Sequence, residues 1–373
     1  MGVSGAFWLL GSPRTEVPNE PIDVFVLLGE DPDGFPRAES DRSYVFPQDH
    51  GLHPNHHMET WAFNGYFATK TGRQFGFQLG ILRVRLVPGN LQRKSAWSTS
   101  EIYRGHLALT DIERQRFHSY ERLSRSALGL SGAQILPFRV WVGDWAIEMV
   151  SDDNEDATFR LRATEGDLQV DLSLISEKPP IRLHNGVLFT RAASPPFASY
   201  FLTRLVTEGV LKVGVHSYAV QGVSWLDRIW GEVPLPTGPS VWNRFLLQLE
   251  DGSEILVFQL RRRNGRGNPI NTGLVIHPDG STENLSRTQV RLKALNHWLS
   301  SKDGARYPVR WQLTIPGKSV ELVVKPEVAD QELNFSMRYW AGTVRLSGTV
   351  KGQPVSGHGY MELTGYAEEI AIF

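Results

Sequence analysis

The sequence predicts an all-β protein of antiparallel barrels or sandwiches, on three observations. Apolar side chains alternate with small or polar ones in runs such as Trp61–Phe67 and Phe75–Leu86, the period of two expected of half-buried strands. Similar runs recur at short spacing along the whole chain, each bounded by Gly, Pro, Asp or Asn, as in barrels and sandwiches. Aromatic residues make up 10% of the 373 residues, with 11 Trp. Such side chains fill a β core or line an apolar pocket.

Taken in order, residues 1–45 are rich in Pro, Gly and charge and read as an N-terminal arm. Trp61–Phe67 and Phe75–Leu86 flank a Lys70–Gly72 turn and predict a long hairpin. Thr110–Ser126 has sparse apolar residues and spread charges, and is the best helix candidate. Trp141–Val150, Thr158–Arg162 and Leu168–Leu174 continue as strands, with the acidic run Asp152–Asp156 as an exposed turn. Ser194, Pro195 and Pro196 mark the expected boundary, within Ala192–Leu205. A first barrel over 46–195 and a second over 196–373 follow. The second half repeats the style in Phe201–Val213, Phe245–Glu250, Ile255–Arg261, Val309–Ile315 and Ser319–Val324. Val344–Val350 and Val355–Gly365 form a last hairpin. Arg261–Arg263 runs into Asn264–Gly267, a strand end entering a solvated turn.

Bulk chemistry excludes several functions. The formal net charge is −1, so nothing points to a nucleic-acid or anionic-membrane partner. With no cysteine, disulfides, thiolate chemistry and Cys-ligated zinc are ruled out. Met1–Ser12 holds a short apolar run without a preceding Lys or Arg, unlike a signal peptide. No stretch approaches the roughly 18 apolar residues of a transmembrane span. A cytoplasmic location is the expectation, and an extracytoplasmic form with its leader removed the alternative. Neither a Gly-x-Ser-x-Gly elbow nor a Walker loop occurs. Asp49–Glu59 contains four of the eleven histidines. The types suit a metal, but the spacing matches no standard zinc signature. A hydrogen-bonded loop closing one barrel end, without metal, is the expectation.

Gly222–Gly231 carries the densest chemistry. On a strand, Trp225, Asp227 and Ile229 share one face, and Ser224, Leu226, Arg228 and Trp230 the other. A carboxylate beside a Trp in a barrel interior would be desolvated, and its pKa would rise toward that of a proton donor. The alternative is an ion pair at a barrel mouth, with the Trp as core. Arg228, on the opposite face, is not the obvious partner. In Glu101–Leu109, Tyr103 falls on one face and His106 on the other. Tyr103 suits a pocket lining; His106 suits an acid, a base or a structural hydrogen-bonding group.

These patches coincide with one family. Phe46–Pro54, Glu59-x-Trp61 with Gly65, Trp97–Asp111, Glu121–Arg125, Trp225–Trp230, Asp330–Leu333, Tyr339–Gly342 and Gly357–Tyr366 keep its order. The chain resembles the AttH-like proteins, which include the carotenoid 1,2-hydratases (hydroxyneurosporene synthases) and are often labelled as secreted hydrolases. The resemblance implies two tandem lipocalin-like, calycin-type antiparallel β-barrels with an apolar pocket at or near their junction. It also implies cofactor-free chemistry on greasy small molecules, as in the hydratases and in fungal Diels–Alder cyclases of similar fold. Catalytic candidates are Asp227, Trp225 and Trp230. Substrate-binding candidates are Glu59, Trp61, Tyr103, His106, Tyr339 and Trp340. Expected functions are a cyclase or a hydratase/isomerase for a polyene, polyketide or isoprenoid; the alternatives are a lipid carrier and a hydrolase. The family usually has Glu-Trp-Trp-Tyr where this chain has Glu59-Thr60-Trp61-Ala62, and Asp-Arg-Glu-Trp where it has Asp227-Arg228-Ile229-Trp230. Ile229 removes a second acid from the face of Asp227, which weakens a two-carboxylate mechanism and fits a wider pocket.

Overall fold

The structure is a computed structural model that describes residues 34–36, 42–89, 99–151, 157–182, 197–231, 240–262 and 269–367. Most of the N-terminal arm, the acidic turn 152–156, Ser194–Pro196 and the basic turn 263–267 lie outside the described residues. The fold is all-β. Its first nine strands are β1 (Met58–Ala68), β2 (Gln74–Arg85), β3 (Glu101–Asp111), β4 (Arg116–Arg125), β5 (Ser131–Gln134), β6 (Arg139–Val142), β7 (Trp145–Ser151), β8 (Thr158–Glu165) and β9 (Leu168–Ser176). The long hairpin β10 (Phe197–Val213) and β11 (His216–Gly231) follows. Together they form one antiparallel sheet, ordered β4-β3-β2-β1-β11-β10-β9-β8-β7-β6-β5. It curls into a nearly closed barrel, with β6 lying against β2, β3 and β4.

The second sheet is a half-barrel. Its strands are β12 (Ser240–Leu249), β13 (Glu254–Arg262), β14 (Ile270–Ile276), β15 (Thr282–Leu285), β16 (Arg291–Leu299), β17 (Arg306–Ile315), β18 (Val320–Pro326), β19 (Glu332–Asn334), β20 (Arg338–Val350) and β21 (Gln353–Thr364). They run β15-β14-β13-β12-β21-β20-β18-β17-β16, with β19 beside β20.

Two expectations change. Thr110–Ser126 is not a helix but the end of β3, a turn and β4. β4 is a terminal strand of its sheet, and a partly solvated edge accounts for its sparse apolar residues. The boundary also moves. β10 and β11, expected in the second barrel, insert between β9 and β1 of the first, and the change of sheet falls between Gly231 and Ser240. The cause is burial: Tyr200, Leu202, Leu205, Leu226 and Trp230 fill the first core.

Alternation along the strands makes three apolar layers. Trp61, Phe63 and Phe67 of β1 point into the first barrel with Leu79, Ile81 and Tyr103. Phe245, Trp311 and Trp340 belong to the core of the second sheet. The outer face of the first sheet packs on the second through Leu82, Trp225, Phe201, Leu246, Phe258 and Tyr360. The sheets approach so closely at Gly76 that a Cβ there would lie 1.7 Å from Thr343 Oγ1. Only glycine fits such a contact.

A buried polar clasp closes one end of the first barrel. Arg228 donates to Glu59 Oε1 (2.6 Å), Gly51 O (2.6 Å) and Thr60 O (2.7 Å). Glu59 and Arg228 are both fully buried. His53 spans two carboxylates, Nδ1 to Glu59 at 2.5 Å and Nε2 to Asp49 at 2.9 Å, so neither ring nitrogen is left for a metal. Trp230 stacks on His53 at 4.0 Å, and the Arg228 guanidinium lies 4.3 Å from the Trp61 ring centre. Trp61 Nε1 donates to His50 O, and His50 Nδ1 meets the Tyr200 hydroxyl at 2.6 Å. Burial would push the Glu59 carboxyl up, but Arg228, His53 and Arg83 outweigh it and hold it at about 2. Burial, helped by Arg228, pulls His50 down to about 3.

Two outcomes are expected. A fragment ending at residue 195 loses the two strands between β9 and β1 and does not fold, whereas one ending at 235 keeps all eleven; far-UV circular dichroism with urea titration compares them. Glu59→Gln leaves Arg228 buried without its counter-charge and lowers the stability of the full chain by about 3–5 kcal/mol. The parent protein also loses stability as pH falls. His50 favours the folded state fully above its unfolded pKa of 6.5, and less as pH drops toward 3. Glu59 adds the same trend from 4.5 down to about 2. Urea midpoints at pH 7.5, 6 and 5 measure the slope.

Candidate functional site

The predicted site residues divide between two faces of one sheet. Glu59, Trp61 and Trp230 belong to the clasp. Tyr103 is close by, its hydroxyl donating to Glu101 Oε2 at 2.9 Å, and Glu101 in turn accepts from Arg83. Trp225, Asp227, His106 and Tyr339 meet instead on the opposite face, where the two sheets pack. Trp340 joins neither group: it sits in the second core and donates to Ala329 O at 2.9 Å. Trp61 and Trp230 thus lie on one face of the sheet and Trp225 and Asp227 on the other, so these four side chains do not converge on one space. The period of two that places Trp61 and Trp230 inside the barrel turns Trp225 and Asp227 out of it.

The inter-sheet group is a desolvated charge cluster. Trp225 Nε1 donates to Asp227 Oδ1 at 3.1 Å. Arg244 of β12 brings Nη1 to 2.6 Å from Asp227 Oδ2, while its Nη2 donates to Glu362 of β21 at 2.7 Å. Arg244 approaches Asp227 Oδ2 off the angle of a hydrogen bond, so this oxygen has an ionic neighbour but no donor among the described residues. Alongside, Arg104 donates to Glu121 and hydrogen-bonds Tyr339, and Glu121 accepts from the Ser336 hydroxyl and amide. Burial raises the Asp227 pKa to about 6; Arg244 pulls against that shift, and Glu362 adds to it. Ile229 does remove one acid from this face, but Glu362 of the second sheet supplies another across Arg244.

Register explains how the cluster is spaced. His106, Gly80, Ala62 and Asp227 face one another in a single row across β3, β2, β1 and β11. The two middle positions carry almost no side chain. The His106 ring lies over Gly80, where a Cβ would come within 2.1 Å of Cε1, and so leans along the row toward Asp227. His106 is buried and neither ring nitrogen has a partner among the described residues. Burial, followed by Arg104 and Arg244, lowers its pKa to about 3, so it is neutral at physiological pH. Its neutral imidazole holds one donor and one acceptor.

Sequence reasoning passed over Arg244 and left Glu362 without a role. The signal for Arg244 was a lone cation within the apolar strand Val241–Leu249, since such a residue is seldom buried unpaired. The second sheet also carries an open cleft of about 520 Å³, lined by Leu292, Ala294, Trp311 and Tyr366 among others, with exposed His297 and Arg306 at its edge. It lies away from Asp227. Among the described residues no helix is long and apolar enough to cross a membrane.

Comparison with known proteins places this architecture. An AttH-type protein of Nitrosomonas europaea superposes with a TM-score of 0.78 at 26% identity, over 89% of this chain and 100% of its own. Kievitone hydratase of Nectria haematococca shares the fold with a TM-score of 0.65 at 19% identity, covering 89% of this chain and 98% of the hydratase. CghA shares it with a TM-score of 0.55 at 13% identity, over 90% and 96% of the two chains. A search of curated protein sequences found no match. The family model described as AttH-like matches residues 37–366, and the chain belongs to the AttH-like family.

Proposed function

We propose that the protein is a cofactor-independent enzyme of the hydratase or cyclase type. It acts on an unsaturated hydrophobic substrate, such as a polyene, polyketide or isoprenoid, between the two sheets. One observation carries the reading: Asp227 is a fully buried carboxyl poised near pH 6, set between the Trp225 indole and Arg244. An acid in that state gives a proton to an alkene carbon with little desolvation cost at the moment of transfer. Trp225 and Phe201, whose rings meet edge to face at 6.3 Å, offer aromatic surface beside a developing cation. His106, neutral and unpartnered at the far end of the row, is placed to take a proton from water in a hydration or from carbon in a cyclisation. The fold shared with kievitone hydratase and CghA supports this class of chemistry. Trp61, Trp230, Glu59 and Tyr103 are, in this proposal, supports of the strands that present Asp227.

The test is incubation in D2O with a panel of isoprenoid and polyketide alkenes, followed by mass spectrometry. Addition of water raises product mass, whereas isomerisation or cyclisation through protonation incorporates deuterium. Asp227→Asn should cut turnover by about 100-fold or more while the substrate still binds, and the parent rate should fall as pH rises through about 6. Retained turnover in Asp227→Asn, with loss in Trp225→Ala, would instead assign the site to substrate shaping without proton transfer.

A further inference from the structure

We propose that the open cleft of the second half-barrel is a separate binding site for an amphipathic organic anion, with an apolar body and a carboxylate head. The cavity there holds about 520 Å³, within the range of about 300–1,000 Å³ usual for small-molecule pockets. Its walls are apolar and aromatic, with Leu292, Ala294 and Trp311 facing it. The sheet leaves an opening, because β15 and β16 end its strand order and do not pair with each other.

The two charged side chains that line this cavity, Arg261 and Arg306, are both cations; Gln259, Tyr366 and His297, whose pKa burial and then Arg306 lower, are its other polar groups. Arg261, His297 and Arg306 line it together. Arg306 contacts His297 Nδ1 at 3.4 Å, and Arg261 donates to the Tyr366 hydroxyl at 3.1 Å. Among the described residues, none of the three has a carboxylate within salt-bridge distance. Among the described residues Arg244, Arg338 and Arg345 of the second sheet are paired with carboxylates, whereas Arg262, Arg291 and Arg310 are not. The Tyr366 hydroxyl donates to Asn243 Oδ1 at 2.8 Å and accepts from Arg261, which is thereby held at the rim. The strand that carries His297 is irregular. Two register shifts against β17, between Ala294 and Asn296 and between Asn296 and Trp298, break its alternation, and His297 lines the cavity along with Leu292 and Ala294. Bulges commonly re-aim a side chain beside a binding site. Apolar walls with a cationic rim are complementary to a fatty or polyketide acid, and not to a neutral hydrocarbon or a cation.

The experiment titrates the full chain with cis-parinaric acid, followed by its fluorescence, and then competes it with palmitate and with hexadecanol. Saturable binding at one site per chain is expected, displaced by palmitate at least tenfold better than by hexadecanol. Ala294→Trp fills the cavity and should weaken binding tenfold or more. Arg306→Glu should weaken palmitate about tenfold and leave hexadecanol unchanged. Urea midpoints confirm that both variants fold. The proposal is overturned if no saturable binding occurs, or if folded Ala294→Trp binds as the parent does, which would place the fatty acid elsewhere. It is overturned equally if acid and alcohol compete alike in the parent and in Arg306→Glu.

Discussion

The buried pair between Glu59 and Arg228 is the constraint on which the rest of the first sheet depends. It joins β1 to β11 with both charges removed from water, and it is tolerable only because the carbonyls of Gly51 and Thr60 and the ring of His53 complete its hydrogen bonds. That requirement fixes the register of the two strands. A slip of one residue would carry Arg228 into the inter-sheet layer and Asp227 into the aromatic barrel interior, inverting both faces at once. The clasp and the charge cluster therefore share an origin: consecutive residues of β11, one turned to each side.

The inter-sheet cluster holds two guanidinium groups, Arg104 and Arg244, against three carboxyl groups, Asp227, Glu121 and Glu362. With the proton on Asp227 the charges balance. Once it is given away, the layer carries one net negative charge in a largely desolvated place. In the proposed reaction that excess appears as the substrate becomes positive, so acid and counter-ion are the same group. Electrostatic stabilisation that appears only along the reaction path is the kind that raises rate and not merely affinity. The small side chains of Gly80 and Ala62 matter here because they keep hydrocarbon bulk out of the row between Asp227 and His106.

The local features were legible in the sequence. Alternation placed Asp227 with Trp225 and opposed both to Arg228 and Trp230, and it separated Tyr103 from His106. The density of donors and acceptors in Asp49–Glu59 pointed to a hydrogen-bonded loop. What the sequence did not carry was partnership across distance. The same alternation cannot say which face of β11 is interior, because Trp225 and Trp230 are equally large and one lies on each side. Arg244 meets Asp227 only because two sheets stack, and periodicity within a strand holds no information about stacking. The Ser194–Pro196 signal could not place the boundary, because a connection between strands of one sheet and a connection between sheets have the same composition. β4 was misread because a solvated terminal strand and a polar helix both present few apolar residues.

The place of the β10–β11 hairpin has a consequence for biogenesis. Met58 pairs with Gly231, about 170 residues downstream, and long-range pairing of this kind slows folding because the intervening chain must first be confined. During synthesis β1 emerges with one edge bare and Glu59 without its arginine, and it stays so until the far end of β11 leaves the ribosome. The first sheet is thus completed late, when the second is about to be made. The nascent chain passes through an interval in which aromatic-rich strands and a bare strand edge are exposed, a species of the kind that aggregates before it folds.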